Sequence, residues 1–368
     1  MYDVVIVGGG PAGATLARLV GRAHRTLLLE RRPEGERPLG PRGGKPCGGL
    51  LAPDAQRALA ALGLGVPREV LAGPQLFAVR AIDAATGLTR HYQRHYLNVD
   101  RGRFDAWLRA LVPPEVDIRH GARVTALRQE ADGVALEVEV AGGREAVRGR
   151  LVVGADGAGS LVRRLAFPRA AAARRYLAIQ EWFEAARPDP CYTALFDPAA
   201  TDFYGWAIPK AGRLVVGAAL PPGADAPGGF ARVVAGLRAA GLPLGRSLGR
   251  EGTLLDRPGR PAHLVIGGGR VALAGEAAGF LSPSSAEGIS FALRSAALLA
   301  GALEPGLEGW PARYRAATGP LRRGLLWKAL KAPVLYAPPL RRLVMASGLG
   351  STPVGAAPLE VLAAEGSF

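Results

Sequence analysis

The pattern of apolar residues predicts an α/β chain in which a parallel sheet is interrupted by antiparallel strands. Continuous apolar runs at 2–7 and 26–30 flank an Ala/Leu-rich helix, which is the pattern of a buried βαβ unit. Alternation over 76–97 instead predicts antiparallel strands. Further runs predict a small meander that rejoins the parallel sheet, and then a last buried strand: 123–127, 133–140, 146–153 and 270–275.

Helical spacing appears in four further segments. Residues 53–62 predict a short helix, 228–240 predict one near the middle of the chain, and 286–303 predict a long apolar helix. Residues 100–112 predict another, because Asp100 is a suitable N-cap and apolar residues follow it at helical spacing.

The first strand leads directly into a glycine-rich turn, Gly8-x-Gly10-x-x-Gly13, that opens the first helix. In such turns the first glycine permits the tight bend, the second lets the backbone approach a pyrophosphate, and the third lets the helix lie close to the strand. The second strand ends in Glu30, whose carboxylate can accept both ribose hydroxyls and would repel a 2′-phosphate. The motif therefore predicts a dinucleotide site that favours an ADP-ribose unit without that phosphate.

Charge and cysteine content narrow the class of protein. The net charge of +15 favours anionic partners, but no nucleic-acid-binding motif accompanies it, so we expect no nucleic acid partner. Cys47 and Cys191 are the two cysteines and lie far apart, which argues against a disulfide framework or a metal site. The chain starts at its first strand and no run of 18 apolar residues occurs, so we expect a cytoplasmic protein.

The C-terminal part of the chain has an unusual composition. From 309 to 359 there is no Asp or Glu, yet eight Lys and Arg stand among Leu, Trp, Tyr and Val. Two interpretations remain open: a basic helix packed on the protein's own surface, or a segment that lies peripherally on the cytoplasmic face of a membrane.

Two later segments repeat the arrangement of a strand leading into a glycine turn. They are Gly-Ala-Asp-Gly-x-x-Ser-x-x-Arg at 154–163 and the glycine-rich stretch at 271–289. With the N-terminal motif, their order resembles the FAD-dependent oxidoreductases of the para-hydroxybenzoate hydroxylase fold group. The resemblance implies an α/β fold with a Rossmann-type FAD-binding domain (1–75, 98–165 and 262–308). This domain is interleaved with a substrate-binding domain on a mixed antiparallel β-sheet (76–97 and 166–261) and followed by a basic helical C-terminal segment (309–368).

The same resemblance implies a set of FAD-binding residues. Gly288 and Ile289 would aim backbone N–H groups at the flavin, where negative charge collects on reduction. Glu276 stands where the family usually has Asp. The implied residues are Gly8, Gly10, Pro11, Ala12, Gly13, Glu30, Arg31, Lys45, Cys47, Gly49, Arg101, Val124, Gly275, Glu276, Gly288 and Ile289.

Within that group the chain resembles the geranylgeranyl reductase family. Lys45-Pro46-Cys47-Gly48-Gly49 is similar to the cysteine loop of that family. Tyr204-Gly205-Trp206-Ala207-Ile208-Pro209 is similar to its Tyr-x-Trp-x-Phe-Pro signature, with Ile208 in place of Phe. Tyr204 and Trp206 are two apart, so on a strand they share a face and can form one wall of a slot. By this resemblance Tyr204, Trp206, Ile208 and Pro209 bind substrate, and Cys47, Tyr204 and Trp206 are catalytic.

The resemblance implies that reduced FAD delivers hydride to an isolated C=C bond of an isoprenoid, with Cys47, Tyr204 or water as proton donor. No second glycine motif identifies a nicotinamide site, so the electron donor is NADPH or a protein reductant. Two other classes stay open: an FAD-dependent monooxygenase of an aromatic or polyketide-like substrate, and a flavin-binding protein without catalysis.

Overall fold

The computed structural model describes residues 1–35, 40–41, 46–187, 189–223 and 225–352. The strands within these ranges are β1 (Tyr2–Val7), β2 (Thr26–Glu30), β3 (Leu50–Leu51), β4 (Leu76–Asp83), β5 (Thr89–Asn98), β6 (Asp117–His120), β7 (Arg123–Gln129), β8 (Val134–Val140), β9 (Gly143–Gly154), β10 (Arg174–Ala185), β11 (Tyr192–Phe196), β12 (Gly205–Lys210), β13 (Arg213–Leu220), β14 (Leu244–Arg257), β15 (Gly267–Gly268) and β16 (Val271–Leu273). The helices are α1 (Pro11–Val20), α2 (Pro53–Ala61), α3 (Arg101–Ala110), α4 (Leu161–Ala166), α5 (Ala226–Ala239), α6 (Ile289–Leu303), α7 (Trp310–Ala317), α8 (Gly319–Tyr336) and α9 (Pro338–Ser347).

The first sheet has a parallel centre in the order β16-β9-β1-β2-β6. The last four residues of β1 and all of β2 are buried, which explains why both read as continuous apolar runs. Strand β9 belongs to two arrangements: its first half pairs antiparallel with β8, and its second half pairs parallel with β1. The meander predicted from the sequence therefore rejoins the parallel sheet through this one strand, as expected.

The second sheet has the order β14-β10-β13-β12-β11-β4-β5-β3. Its neighbours are antiparallel except for β11 and β4, which run parallel. One face packs against α5 around Phe230 and Leu237, both fully buried. The strands come from 50–98 and 174–257, so the sheet joins two distant segments of the chain. We propose that the domain division implied by the sequence follows these two sheets, apart from β3, which lies within 1–75 but joins the second sheet.

Local sequence signals place the start of one helix correctly and the start of another a few residues too early. The Asp100 carboxylate accepts hydrogen bonds from the backbone N–H groups of Gly102 and Arg103, so it caps α3 as predicted. The long apolar helix begins at Ile289, three residues later than its apolar pattern suggests, because 281–288 form a loop. The last 44 described residues are mainly helical, in α7, α8 and α9. Among the described helices, none combines the length and apolarity that crossing a bilayer requires.

Candidate functional site

A cavity of about 700 Å³ opens where the carboxyl ends of β1 and β2 face the second sheet. Both sheets and the loops between them line it. Sixteen of the residues expected at the site lie on its wall: Gly8, Gly10, Pro11, Ala12, Glu30, Arg31, Cys47, Gly49, Arg101, Val124, Tyr204, Trp206, Ile208, Glu276, Gly288 and Ile289. Residues from the whole length of the chain therefore meet at one cavity, and its size is that of a cofactor or ligand site.

The turn between β1 and α1 explains the glycine motif physically. Gly8 has a φ of +107°, and a Cβ atom there would lie 2.5 Å from the carbonyl oxygen of Ala155. A Cβ atom on Gly13 would overlap the carbonyl oxygen of Gly8. The turn brings the N-terminus of α1, at Gly10 and Pro11, to the cavity wall. Backbone N–H groups at such a helix end bind the charge of a pyrophosphate.

Glu30 is held in place at the end of β2. Its carboxylate accepts hydrogen bonds from the backbone N–H groups of Gly9 at 2.8 Å and Arg32 at 2.9 Å, and the residue is only 7% exposed. These two bonds fix the carboxylate at the cavity wall beside the glycine turn. It can then accept hydrogen bonds from ribose hydroxyls, as a dinucleotide site requires.

Arg101 is a buried cation at the first turn of α3. Its guanidinium makes a two-bond ion pair with Asp105, at 2.8 and 3.2 Å, and hydrogen-bonds the thiol of Cys47. Burial acts to lower the pKa of Arg101, but the charge and hydrogen bonds of Asp105 outweigh it and raise that pKa above its ordinary value. A permanent positive charge therefore stands behind the cysteine loop.

Lys210 is a second buried cation near the same thiol. It is 2% exposed at the end of β12, and its Nζ donates a hydrogen bond to the carbonyl oxygen of Val99 at 2.6 Å. The loop runs close to it, since a Cβ atom on Gly49 would lie 2.7 Å from Nζ. Burial lowers the pKa of Lys210 to about 8, against the opposing charges of Cys47 and Asp100. The Cys47 Sγ also accepts a hydrogen bond from the backbone N–H of Gly49 at 3.5 Å, so this thiol has positive or donor groups on several sides.

We expect the shifted pKa of Lys210 to appear in the pH dependence of stability. Between pH 8 and 10.5 the unfolded chain keeps this proton and the folded protein releases it, so the free energy of unfolding rises with pH in that window. The full contribution is about 3 kcal/mol. Urea unfolding of the wild type and Lys210→Met at several pH values measures it, because the variant lacks the rise. Lys328→Met, at a partly exposed lysine, is the control, and equal slopes in Lys210→Met and wild type would contradict the prediction.

Six aromatic side chains form one wall of the cavity, which we call the aromatic wall: Tyr96, Tyr192, Phe196, Tyr204, Trp206 and Tyr336. The ring centroids of Tyr204 and Trp206 are 5.7 Å apart, so the two residues share a face as the sequence predicts. The Tyr204 hydroxyl donates to the carbonyl oxygen of Ser285 at 2.8 Å, and burial raises the pKa of this tyrosine to about 12. Tyr204 therefore stays protonated, with its proton engaged by a backbone oxygen.

Strand β12 connects the aromatic wall to the cysteine loop. Trp206 and Ile208 are two apart on β12, and Ile208 packs on the loop, since a Cβ atom on Gly48 would lie 2.5 Å from Ile208 Cδ1. Cys47 is the next residue along the loop and lines the same cavity. An apolar surface and a thiol backed by cations thus adjoin each other.

The N-terminus of α6 reaches the cavity on the other side. Gly288 is its N-cap and Ile289 its first residue, and both line the cavity. The Glu287 carboxylate accepts hydrogen bonds from the backbone N–H and hydroxyl of Ser290, at 2.7 and 2.6 Å, and burial raises its pKa. Glu276 lines the cavity from the loop after β16. The positive end of a helix dipole therefore faces the cavity, where it stabilises negative charge.

A few expected site residues lie elsewhere. Gly13, Gly275 and Pro209 are not among the lining residues: Gly13 packs on the β1–α1 turn, Gly275 donates its N–H to Ser295 Oγ, and Pro209 is buried in β12. Lys45 falls outside the described residues. Two features of the cavity are not among the residues expected from the sequence: Lys210, close to the cysteine loop, and the aromatic residues outside the Tyr-x-Trp signature. Lys210 carries a local signal, because a lysine ends an otherwise apolar strand, whereas Tyr96, Tyr192 and Tyr336 come from separate segments without a shared pattern.

The cavity fits a dinucleotide flavin. A Cβ atom built on Gly10 meets no described atom within 4 Å, so the motif leaves open space where a pyrophosphate would approach the backbone. Glu30 and the N-terminus of α6, at Gly288 and Ile289, line the same cavity. The cavity thus offers Glu30 as an acceptor for ribose hydroxyls. It also offers the N-terminus of α1 for the pyrophosphate and the N-terminus of α6 for the flavin ring.

Comparisons with known proteins agree with this geometry. A family model described as FAD binding domain matches residues 87–186. The chain is 40% identical to Protein CbrA of Escherichia coli O6:H1 over 353 residues, which is 96% of this chain and 95% of that protein. A geranylgeranyl bacteriochlorophyll reductase-like protein from Thermoplasma acidophilum has the same fold, with a TM-score of 0.79, 20% identity and coverage of 99% and 95% of the two chains. The Pseudomonas aeruginosa protein PqsL, a probable FAD-dependent monooxygenase, has a TM-score of 0.67, 21% identity and coverage of 94% and 98%.

FAD is therefore the cofactor, and we propose that this cavity, called the FAD cavity below, holds it. The two solved structures share the α/β architecture at low identity, so they establish the fold. The sequence match to the Escherichia coli protein extends over nearly the whole chain at 40% identity, so it establishes a family relationship and not only a shared fold. This chain belongs to the CbrA family, and it has the fold of FAD-dependent oxidoreductases and monooxygenases.

Proposed function

We propose that the protein reduces isolated C=C bonds of an isoprenoid of the geranylgeranyl type. The observation that carries the proposal is the aromatic wall, which lines the same cavity as the thiol of Cys47. An unactivated prenyl chain offers few polar groups, so its recognition depends on apolar and aromatic contact area. The fold shared with the geranylgeranyl bacteriochlorophyll reductase-like protein supports the same proposal.

The reduction needs one hydride and one proton. When bound and reduced, FAD supplies the hydride to one carbon of the double bond. The proton must reach the other carbon from a side chain or from water. Electrons enter from NADPH or from a protein reductant, as a further part of the proposal.

Cys47 is better placed to donate that proton than Tyr204. The Tyr204 proton is engaged by Ser285, and its pKa is raised to about 12. Cys47 has Arg101 and Lys210 beside it, and cations stabilise the thiolate left after donation. Lys210 can return a proton to the thiolate between turnovers, because its pKa of about 8 is near that of an ordinary thiol. In the proposed arrangement, Trp206 and Ile208 hold the prenyl chain of the substrate against the Cys47 thiol.

The test is anaerobic incubation of the photoreduced holoenzyme with geranylgeranyl diphosphate and geranylgeranyl lipids, followed by mass analysis. We expect a gain of two mass units for each double bond reduced in H₂O. In D₂O we expect two deuterium atoms per reduced bond, because the N–H of reduced flavin and the proton donor both exchange with solvent. Cys47→Ala should slow the single-turnover rate roughly 100-fold, which is a typical contribution of a positioned proton donor. Cys191→Ala is the matched control, since this half-buried cysteine is not among the cavity-lining residues described above.

A monooxygenase acting on an aromatic substrate is the second candidate, because the aromatic wall can also stack a planar ring and PqsL shares the fold. Oxygen consumption with NAD(P)H and gain of an oxygen atom by an aromatic substrate would favour it. Absence of any mass gain across the prenyl substrates would reject the reductase proposal.

A further inference from the structure

The acid-free C-terminal helices pack one face on the protein. Trp310, Tyr314, Leu321 and Leu325 are buried in the core of the first sheet. Further along, the Tyr336 hydroxyl donates to the carbonyl oxygen of Ser284 at 2.6 Å. The interpretation that these helices cover the protein's own surface is therefore correct for this face.

The opposite face of α8 and α9 is apolar and exposed. Twelve large apolar side chains are exposed among the described residues, and seven of them fall within 327–349. On α8, Trp327, Leu330 and Val334 are 59%, 72% and 40% exposed, and their spacing of three and four places them along one side of the helix. On α9, Leu340 and Leu343 are 45% and 69% exposed. Because these exposed apolar side chains are concentrated on two adjacent helices, they form a patch and are not scattered surface residues.

Basic residues accompany the apolar ones. The Lys331 Nζ lies 4.8 Å from the centroid of the Trp327 ring, and Arg323 is exposed one turn before Trp327. No Asp or Glu occurs between 309 and 359 in the sequence, so the patch carries positive charge with no acidic neighbour along its own helices. Trp and Leu beside Lys and Arg is the composition of helices that bind in the interface of an anionic bilayer.

We propose that this face, formed by Trp327, Leu330, Lys331, Val334, Leu340 and Leu343, docks on a membrane surface rich in anionic phospholipid. The apolar side chains enter the headgroup boundary, and Arg323 and Lys331 pair with lipid phosphates. The same helix carries Lys328 and Tyr336 on the wall of the FAD cavity, so docking brings that cavity to the lipid surface. The inference does not depend on the isoprenoid reaction.

The test is flotation of the full-length holoprotein with vesicles. We expect binding to vesicles of phosphatidylcholine with about one third phosphatidylglycerol, at least tenfold weaker binding to phosphatidylcholine alone, and loss of binding in high salt. Trp327→Ser/Leu330→Ser should lower the partition coefficient at least tenfold, and Arg323→Glu/Lys331→Glu should lower it on anionic vesicles in particular. Leu165→Ser removes an exposed leucine on α4, 41% exposed, and should leave binding unchanged.

Two results would overturn the proposal. One is absence of binding to anionic vesicles, or binding that both double variants retain in full. The other is a dimer in sedimentation analysis that the Trp327→Ser/Leu330→Ser variant dissociates while vesicles stay unbound, which would assign the face to a second copy of the chain. Because flotation needs no turnover, its outcome is separate from that of the reduction assay.

Discussion

Gly10→Ala should produce a folded protein that no longer retains FAD. The new methyl group meets no described protein atom within 4 Å, so the fold accommodates it. It does occupy the space through which the pyrophosphate approaches the N-terminus of α1. Losing two charge-assisted hydrogen bonds there costs about 4 kcal/mol, which is roughly a thousandfold in dissociation constant. Titration of the apoprotein with FAD, followed by flavin fluorescence, measures the change.

Gly65→Ala is the control for this variant. Gly65 is exposed, and among the described residues a Cβ atom there also has no neighbour within 4 Å. This variant should bind FAD as the wild type does. Without FAD, both variants should unfold at the same urea concentration as the wild-type apoprotein, because bound cofactor stabilises the folded state. A yellow Gly10→Ala protein with unchanged affinity would mean that the cofactor does not approach α1.

Arg341→Leu should destabilise the protein by about 3–5 kcal/mol, the usual cost of leaving a buried charge without its partner. Arg341 on α9 is 4% exposed and Asp83 at the end of β4 is fully buried, and Arg341 Nε lies 2.8 Å from Asp83 Oδ2. Burial acts to raise the pKa of Asp83, but the hydrogen bond and charge of Arg341 outweigh it and lower that pKa. Without Arg341 the carboxylate would stay buried among groups that cannot neutralise it.

Urea unfolding at pH 7 measures this loss, with Arg246→Leu as the control. Arg246 pairs with Glu184 at the surface, where both side chains are largely exposed, and such pairs contribute less than about 1 kcal/mol. Asp83→Asn/Arg341→Leu should recover part of the stability, because it removes both charges. Equal stability of Arg341→Leu and wild type would show that α9 does not depend on this ion pair.

Much of the fold follows from local patterns. Continuous apolar runs identify β1 and β2, alternation identifies β4 and β5, and Asp100 marks the start of α3, because each signal depends on residues close in sequence. The pairing of the short strand β3 with β5 has no such signal, since two residues carry no periodicity.

The candidate site also has parts that local sequence patterns predict and parts that they do not. The glycine turn and Glu30 belong to one βαβ unit, so their spacing alone indicates a nucleotide site. The aromatic wall combines residues from β5, β11, β12 and α8 with the residue before β12, and only packing brings them together. For Lys210 the sequence signal is a lysine at the end of an apolar strand, which does not by itself show that the side chain is buried. Its environment depends on Val99 and the cysteine loop, which lie more than 100 residues earlier.

The FAD cavity uses both ends of the described chain, from Gly8 after the first strand to Tyr336 at the end of α8. During synthesis on the ribosome, the glycine turn emerges long before the helix that supplies Tyr336 and Lys328. Domains fold as their segments become available, N-terminal parts first. The pocket can therefore be completed only after α8 has been synthesised, and a nascent chain stopped before α8 would expose its nucleotide-binding half without Lys328 and Tyr336.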